Sequence, residues 1–325
     1  MIIGIPRGLY FYDYYPFWET FFQELGAFVV TSKPTDKEIL NLGVEWAVDD
    51  ACLPVKVFFG HTEYLKKQVD FLFIPRLVSE SKKTYICPKF LGLPEMIRYR
   101  LKAENILSAD ISAYKSQKEF YWGIYAVGKK INPNSAKIIK AIYKARQRQK
   151  EYLENRYKGY QAFDLLEKNN HVIDFNKPLF AVIGHGYNIN DRHTSMELVN
   201  KIRALGGEVL TPDNVSYQKA LYKTKNLPKS PFWSFAVKNF GSTLYLLDSY
   251  PLRGIIQLNS FGCGPDSIIT ELSQRYLKKI SKCPVLNLTI DEHTGEAGLI
   301  TRLEAFWDMT AERSFNGESY LSAHG

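Results

Sequence analysis

Three of the four cysteines in this chain stand where one element stops and the next begins, which is where a sulfur can be offered to a ligand. Cys263 lies in IIQLNSFGCGPDSIITEL, between an apolar run of the kind a buried strand shows and a segment whose Asp266 and Ser267 suit a helix start. Gly262 and Gly264 flank it and let the backbone approach something bulky beside the sulfur. Cys52 in DDACLPVK and Cys87 in YICPKFLGLP each closely precede a proline, as thiols at loops and helix starts do. Pro54 fits a first helical turn, which puts Cys52 where a helix dipole favours a thiolate. Soft thiolates are the ligands an iron–sulfur cubane needs, and three of them would leave one iron open to a substrate oxygen. Spacing alone leaves the alternative standing that these are small buried hydrophobes, because no CxxC pair is present. Cys283, at the head of the apolar run CPVLNLTID, reads as structural.

Other side chains could do chemistry beside such a centre. In IDEHTGEAGLITRLEAF, Glu292 and His293 follow a strand and could act as general acid and base; the alternative is that they cap the next helix and pair with Arg302. The loop GHGYNIND carries His185 and Asn188, Arg7 sits in the corresponding loop IPRG, and Arg76 ends the run VDFLFIPRLV. These four are candidates for holding a substrate, or they make turns and ion pairs. A single GxG is a weak nucleotide signal without the full GxGxxG.

The elements that must position these residues alternate as strand and helix, the pattern of an α/β fold with parallel sheets. IIGIP, a helix through FWETFFQELG closed by Gly26, and AFVVTS open the chain, with Trp18, Phe21, Phe22 and Leu25 at helical spacing. A helix capped by Thr35 or Asp36 and another starting near Pro54 follow. VDFLFIPRLV reads as a central strand that ends at Pro75 and Arg76, and ENILSADISAY as one more. One long helix or a broken pair occupies 134–166. PLFAVIGHG then repeats the opening plan, with a loop at GHGYNIND and a helix from Thr194, so an internal duplication is the simplest account. We expect two Rossmann-like parallel-sheet domains, 1–130 with Cys52 and Cys87 and 176–312 with Cys263, joined by a helical connection over 131–175 and facing an interdomain cleft. A polar tail covers 313–325.

At 325 residues the chain is long enough for two domains. No stretch approaches the roughly 18 apolar residues of a membrane span, and MIIGIPRG runs into a strand instead of a signal peptide, so a cytoplasmic protein with no membrane association is expected. The net charge of +8 is spread thinly. Its densest part, KIIKAIYKARQRQK, reads as the wet face of a helix, and no nucleic-acid-binding pattern accompanies it.

IGIPRGLYFYDYYPFWETFF, DDACLPVKVFFGH, FLFIPRLVS with YICPKFLGLPEMIR, NSFGCGPDS and DEHTGEAGLITRLEAF resemble the cluster-bearing subunits of the 2-hydroxyacyl-CoA dehydratases, and within them the acyl-CoA dehydratase activase-related branch. The resemblance reaches to about residue 310, and its cysteine blocks are the most specific part. It implies a [4Fe-4S] cluster held by Cys52, Cys87 and Cys263, reduced by a separate ATP-dependent activase, in a system acting on an acyl-CoA or other small substrate. Some relatives carry a double cubane, which three cysteines could serve only if two chains shared it, in a homo- or heterodimer. The chain is shorter than a typical dehydratase subunit and shows no basic loop for the CoA nucleotide. A lyase or low-potential reductase role therefore stands beside an electron relay, a cluster carrier, or a cluster-free small-molecule binder.

Overall fold

The spacing of aromatic residues in the first helix decides how the first sheet is covered. The structure, a computed structural model, describes residues 1–225, 227–229 and 231–315, with the remaining tail beyond 315 outside the described residues. β1 (Ile2–Ile5) leads into α1 (Phe11–Leu25), which buries Trp18, Phe21, Phe22 and Leu25. Gly26 closes α1 at φ 93°, a left-handed conformation that costs glycine little, and its N–H reaches the carbonyls of Phe22 and Gln23. β2 (Phe28–Thr31), α2 (Lys37–Trp46) and α3 (Leu53–Leu65) follow. Asp36 caps α2 by accepting from the Ile39 N–H. α2 and α3 meet backbone to backbone: a Cβ at Gly43 would lie 2.0 Å from the Lys56 carbonyl oxygen, and one at Gly60 would lie 1.9 Å from that of Ile39.

VDFLFIPRLV does not form one strand. It breaks into β3 (Phe71–Phe73) and β4 (Arg76–Ser79), which belong to different sheets. Pro75 lies at the break, where it supplies no N–H to a ladder. Beyond α4 (Pro88–Leu91) and α5 (Leu93–Leu101), ENILSADISAY is likewise split into β5 (Ile106–Leu107) and β6 (Asp110–Ser112). β3 and β5 extend the main parallel sheet, in the order β2-β1-β3-β5, while β4 and β6 pair with each other. α6 (Gln117–Ile131), unforeseen in the sequence, packs Gly123 against the Asp110 carbonyl of β6. The 134–166 stretch is a broken pair, α7 (Ser135–Tyr157) and α8 (Ala162–Leu166).

Two compact units result: Met1–Asn155 with Pro231–Ser234, and Arg156–Ser230 with Phe235–Gly325. In the second, β7 (Leu179–Gly184) is buried throughout, as a central parallel strand should be. GHGYNIND is a short helix, α9 (Gly186–Asn190), instead of a loop. The next helix, α10 (Leu198–Ala204), starts four residues later than Thr194 because Met196 and Glu197 hold positive φ. β8 (Glu208–Leu210), a 3-10 turn at Pro212–Asn214, α11 (Tyr217–Lys223) and α12 (Ser234–Ser249) precede the nine-residue β9 (Leu252–Ser260). α13 (Gly264–Ile280), β10 (Val285–Ile290) and α14 (Glu296–Phe315) complete the unit, and α14 continues past residue 313. All four strands are parallel, in the order β10-β9-β7-β8.

Both sheets follow one plan. The chain lays down a central strand, steps outward once, then returns to the other side, so direction reverses between β1 and β3 and between β7 and β9. At such a reversal the connections leave the carboxyl ends of adjacent strands toward opposite faces, opening a crevice.

Candidate functional site

Cys52, Cys87 and Cys263 share one local setting. Each is the N-cap of a helix, of α3, α4 and α13 respectively, each has a proline at the first or second helical position, and none makes a side-chain cap hydrogen bond. None of the three is in a disulfide. Proline is tolerated there because the first N–H groups of a helix have no partner within it.

Cys52 and Cys87 lie in the first unit. Burial pushes the Cys52 thiol up; the Lys89 ammonium and the Val55 N–H oppose this, and Cys87 adds to it. The helix start expected to favour a thiolate at Cys52 is thus outweighed by desolvation, which disfavours any unpaired charge. Lys89 is held nearby by donating to the Asp50 carbonyl at 3.2 Å. Tyr10 packs its ring 4.8 Å from Phe90 of α4. Its hydroxyl is pushed well up by burial, with Glu80 and, more weakly, Cys87 contributing. The Tyr10 phenol therefore stays protonated.

In the second unit the strand reversal brings chemistry together. β7 ends at Gly184 and is followed by His185, while the adjacent β9 ends at Ser260 and is followed by a turn to Cys263. Gly262 takes φ 73° in that turn. A Cβ at Gly184 would lie 2.4 Å from the Leu258 carbonyl oxygen, so the two strand ends approach closely. One donor atom from each of His185, Cys263 and Asp266 lies within 4.8 Å of the other two. His185 Nε2 is 3.6 Å from Asp266 Oδ1. The imidazole is fixed by Tyr187, stacked at 4.7 Å, and by the edge of Phe235 at 4.6 Å. Asp266 is 2% exposed; burial raises its carboxyl pKa, while His185 and the Ser260 N–H pull it back.

Residues 2–215 match the family described as the CoA enzyme activase uncharacterised domain (DUF2229). The chain belongs to that family. The matched stretch carries Arg7, Cys52, Arg76, Cys87, His185 and Asn188 and ends before Cys263, Glu292 and His293. No curated protein matches the chain. Among solved structures, tagatose-6-phosphate ketose/aldose isomerase from Escherichia coli is similar at 9% identity and a TM-score of 0.22, over 95% of this chain and 80% of that one. A likeness that weak carries no argument.

The remaining candidates of this activase-domain chain are scattered. The Arg7 backbone N–H donates to Ser32 Oγ at 3.0 Å, and its guanidinium lies 5.3 Å over the Phe11 ring. Arg76 pairs with Glu95 and, at 3.6 Å, with Asp110. Asn188, 1% exposed, donates its N–H to the His185 carbonyl in the first turn of α9. The side chain of Glu292 is largely covered, but that of His293 is 86% exposed. Asp291 makes the turn there, accepting from the His293 N–H at 2.9 Å and from Thr294 Oγ1 at 2.7 Å. Arg302 donates to the Asn287 carbonyl. Cys283 lies in the apolar core, where burial pushes its thiol up to about 12. Sequence reasoning missed the partnership of His185 with Asp266, as well as Tyr10 and Lys89. Asp266 drew notice only as a helix-starting residue, although its place three residues after Cys263 puts it in the same first turn.

Proposed function

We propose that the chain is the iron–sulfur component of an ATP-dependent acyl-CoA dehydratase-like system, in which Cys52, Cys87 and Cys263 hold a [4Fe-4S] cluster that a separate activase reduces. The observation that carries this reading is the shared setting of the three thiols: each caps a helix start beside a proline, while Cys283 lies in the apolar core. Family membership supports the acyl-CoA context and the ATP-dependent partner. The strand order of each unit, reversing beside its central strand, supports a Rossmann-like reading of both.

The donor set fits such a group. Thiolates are its preferred ligands, and helix starts direct N–H groups and positive dipole ends at the sulfurs. When bound, the cluster supplies a low-potential electron and an iron able to take an oxygen ligand. The chain's own residues set the conditions around it. Lys89 offsets negative charge at Cys52, and the Tyr10 hydroxyl stays protonated. His185 and Asp266 place an imidazole and a carboxyl group within 4.8 Å of the Cys263 sulfur.

Iron and acid-labile sulfide in anaerobically reconstituted protein test the reading. About four irons per chain are expected for one cubane. Cys52→Ala, Cys87→Ala and Cys263→Ala should each lose them, and Cys283→Ala should keep them. Iron retained in any of the first three, or absent from the wild type, rejects the three-cysteine cluster.

A further inference from the structure

We infer that the second unit carries, by itself, a site for one divalent cation of borderline softness, ligated by Cys263 Sγ, His185 and an Asp266 carboxylate oxygen. This goes beyond the cluster reading: it needs neither Cys52 nor Cys87, and because cation and cluster compete for the one Cys263 sulfur, it describes the chain without its cluster.

The geometry points to a cation in three ways. First, the donors converge. In a tetrahedral zinc-type site with metal–ligand distances near 2.0–2.3 Å, donor atoms stand roughly 3.3–3.8 Å apart. His185 Nε2 and Asp266 Oδ1 already stand 3.6 Å apart, and the whole set falls within 4.8 Å, so closure requires inward shifts of about 1 Å or less. A thiol–imidazole–carboxylate relay for nucleophilic attack would use the imidazole differently, with its two ring nitrogens facing opposite partners. Here one donor atom of each residue lies within 4.8 Å of the other two.

Second, one oxygen of the carboxylate is not consumed by the fold. Asp266 Oδ2 is buried without a hydrogen-bond partner among the described residues, a condition that calls for a compensating ligand. Third, the three residues come from the carboxyl ends of β7 and β9, the adjacent strands between which the sheet order reverses, where parallel sheets accept ligands. Tyr187 and Phe235 hold the imidazole in place from two sides, as a ligating histidine requires.

The donor set also selects the cation. One thiolate, one imidazole and one carboxylate suit zinc, cobalt(II) or iron(II), whereas magnesium and calcium demand oxygen throughout. With three protein ligands the fourth position is open to water or substrate, the arrangement of a catalytic rather than a closed structural site.

Cobalt(II) is the probe, added anaerobically to the full chain carrying Cys52→Ala and Cys87→Ala. The expected result is one equivalent bound, with an intense near-ultraviolet thiolate-to-cobalt band that zinc displaces and magnesium does not. In that background Cys263→Ser should abolish the band. Asp266→Asn and His185→Ala should each weaken binding by about tenfold or more. Asp266→Asn keeps the shape of the site, so it remains decisive even if His185→Ala disturbs the stacked rings. The inference is overturned by no band, by a band that survives Cys263→Ser, or by one that neither Asp266→Asn nor His185→Ala weakens. Its failure is distinguishable from that of the cluster reading: cobalt binding without Cys52 and Cys87 says nothing of reconstituted iron, and iron lost with those two says nothing of cobalt.

Discussion

The two units repeat one strand order but hold it together differently. In the first, α1 lays an aromatic cluster on the sheet: Trp18 and Phe22 sit 4.4 Å and 4.9 Å from Phe73, and Phe21 is fully buried. The second buries charge beside β8. Arg156, 1% exposed, meets Asp213 at 2.5 Å, and Lys238 and Asn190 complete the shell of that carboxylate. Burial alone would raise the Asp213 carboxyl, but the two cations outweigh it and hold it well below the usual range. The second unit therefore adds a buried, charge-paired cluster to an apolar core of its own. A buried pair adds little over apolar packing but is costly to break, because removing one partner strands the other.

That contrast can be broken most sharply at Asp213. Asp213→Ala leaves Arg156 in the interior with a lost partner and should cost the second unit about 3–5 kcal/mol. Hydrogen exchange read peptide by peptide would show the loss confined to 156–225 and 235–311; equal loosening of 1–155 would erase the distinction.

Acid separates the units next. His61 is fully buried, with Thr35 Oγ1 2.9 Å from its Nε2. Burial first, and then Arg7, lowers its pKa to about 3. The unfolded chain, with an ordinary histidine near 6.5, takes the proton first as pH falls. Stability of the first unit is therefore full above about pH 6.5 and declines toward pH 3, by on the order of 1 kcal/mol per pH unit. The depressed Asp213 begins to weaken the second unit only below about pH 4, where an unfolded aspartate protonates. Unfolding of wild type and His61→Gln at pH 7 and pH 5 checks this, since the variant should lose the acid sensitivity of 1–155 in that interval. Parallel declines in both proteins would remove His61 as the cause.

The smallest effect sharpens the picture of the first unit. Asp36→Ala removes the cap of α2 and should cost about 1 kcal/mol, seen as a modest shift in the denaturation midpoint. A cost several times larger would mean that charge also holds this unit.

Much of the fold was legible because its signals are local. Trp18, Phe21, Phe22 and Leu25 at helical spacing gave α1, Gly26 gave its end, and Pro54 marked a helix start; Asp266 and Ser267, read as the cap of α13, lie in its first turn, with Cys263 at the cap. What escaped depends on partners far along the chain. An apolar run cannot say that Phe71–Phe73 and Arg76–Ser79 belong to different sheets, since that depends on where β5 and β6 pair. The delayed start of α10 follows from positive φ at Met196 and Glu197, which no residue type there announces. Cys263 was visible beside its glycines. Its neighbour His185, 78 positions away, becomes a neighbour only through the pairing of β7 with β9.

The glycine contact between α2 and α3 has a consequence for how variants of this protein would be found. Cys52 is the N-cap of α3, and Gly60 lies eight residues on, about two turns or 12 Å along the axis. Any side chain at Gly43 or Gly60 must push the helices apart, and the N-cap sulfur moves with its helix. A genetic screen for chains that fold but fail to work should therefore return these two glycines alongside the cysteines, although neither touches sulfur.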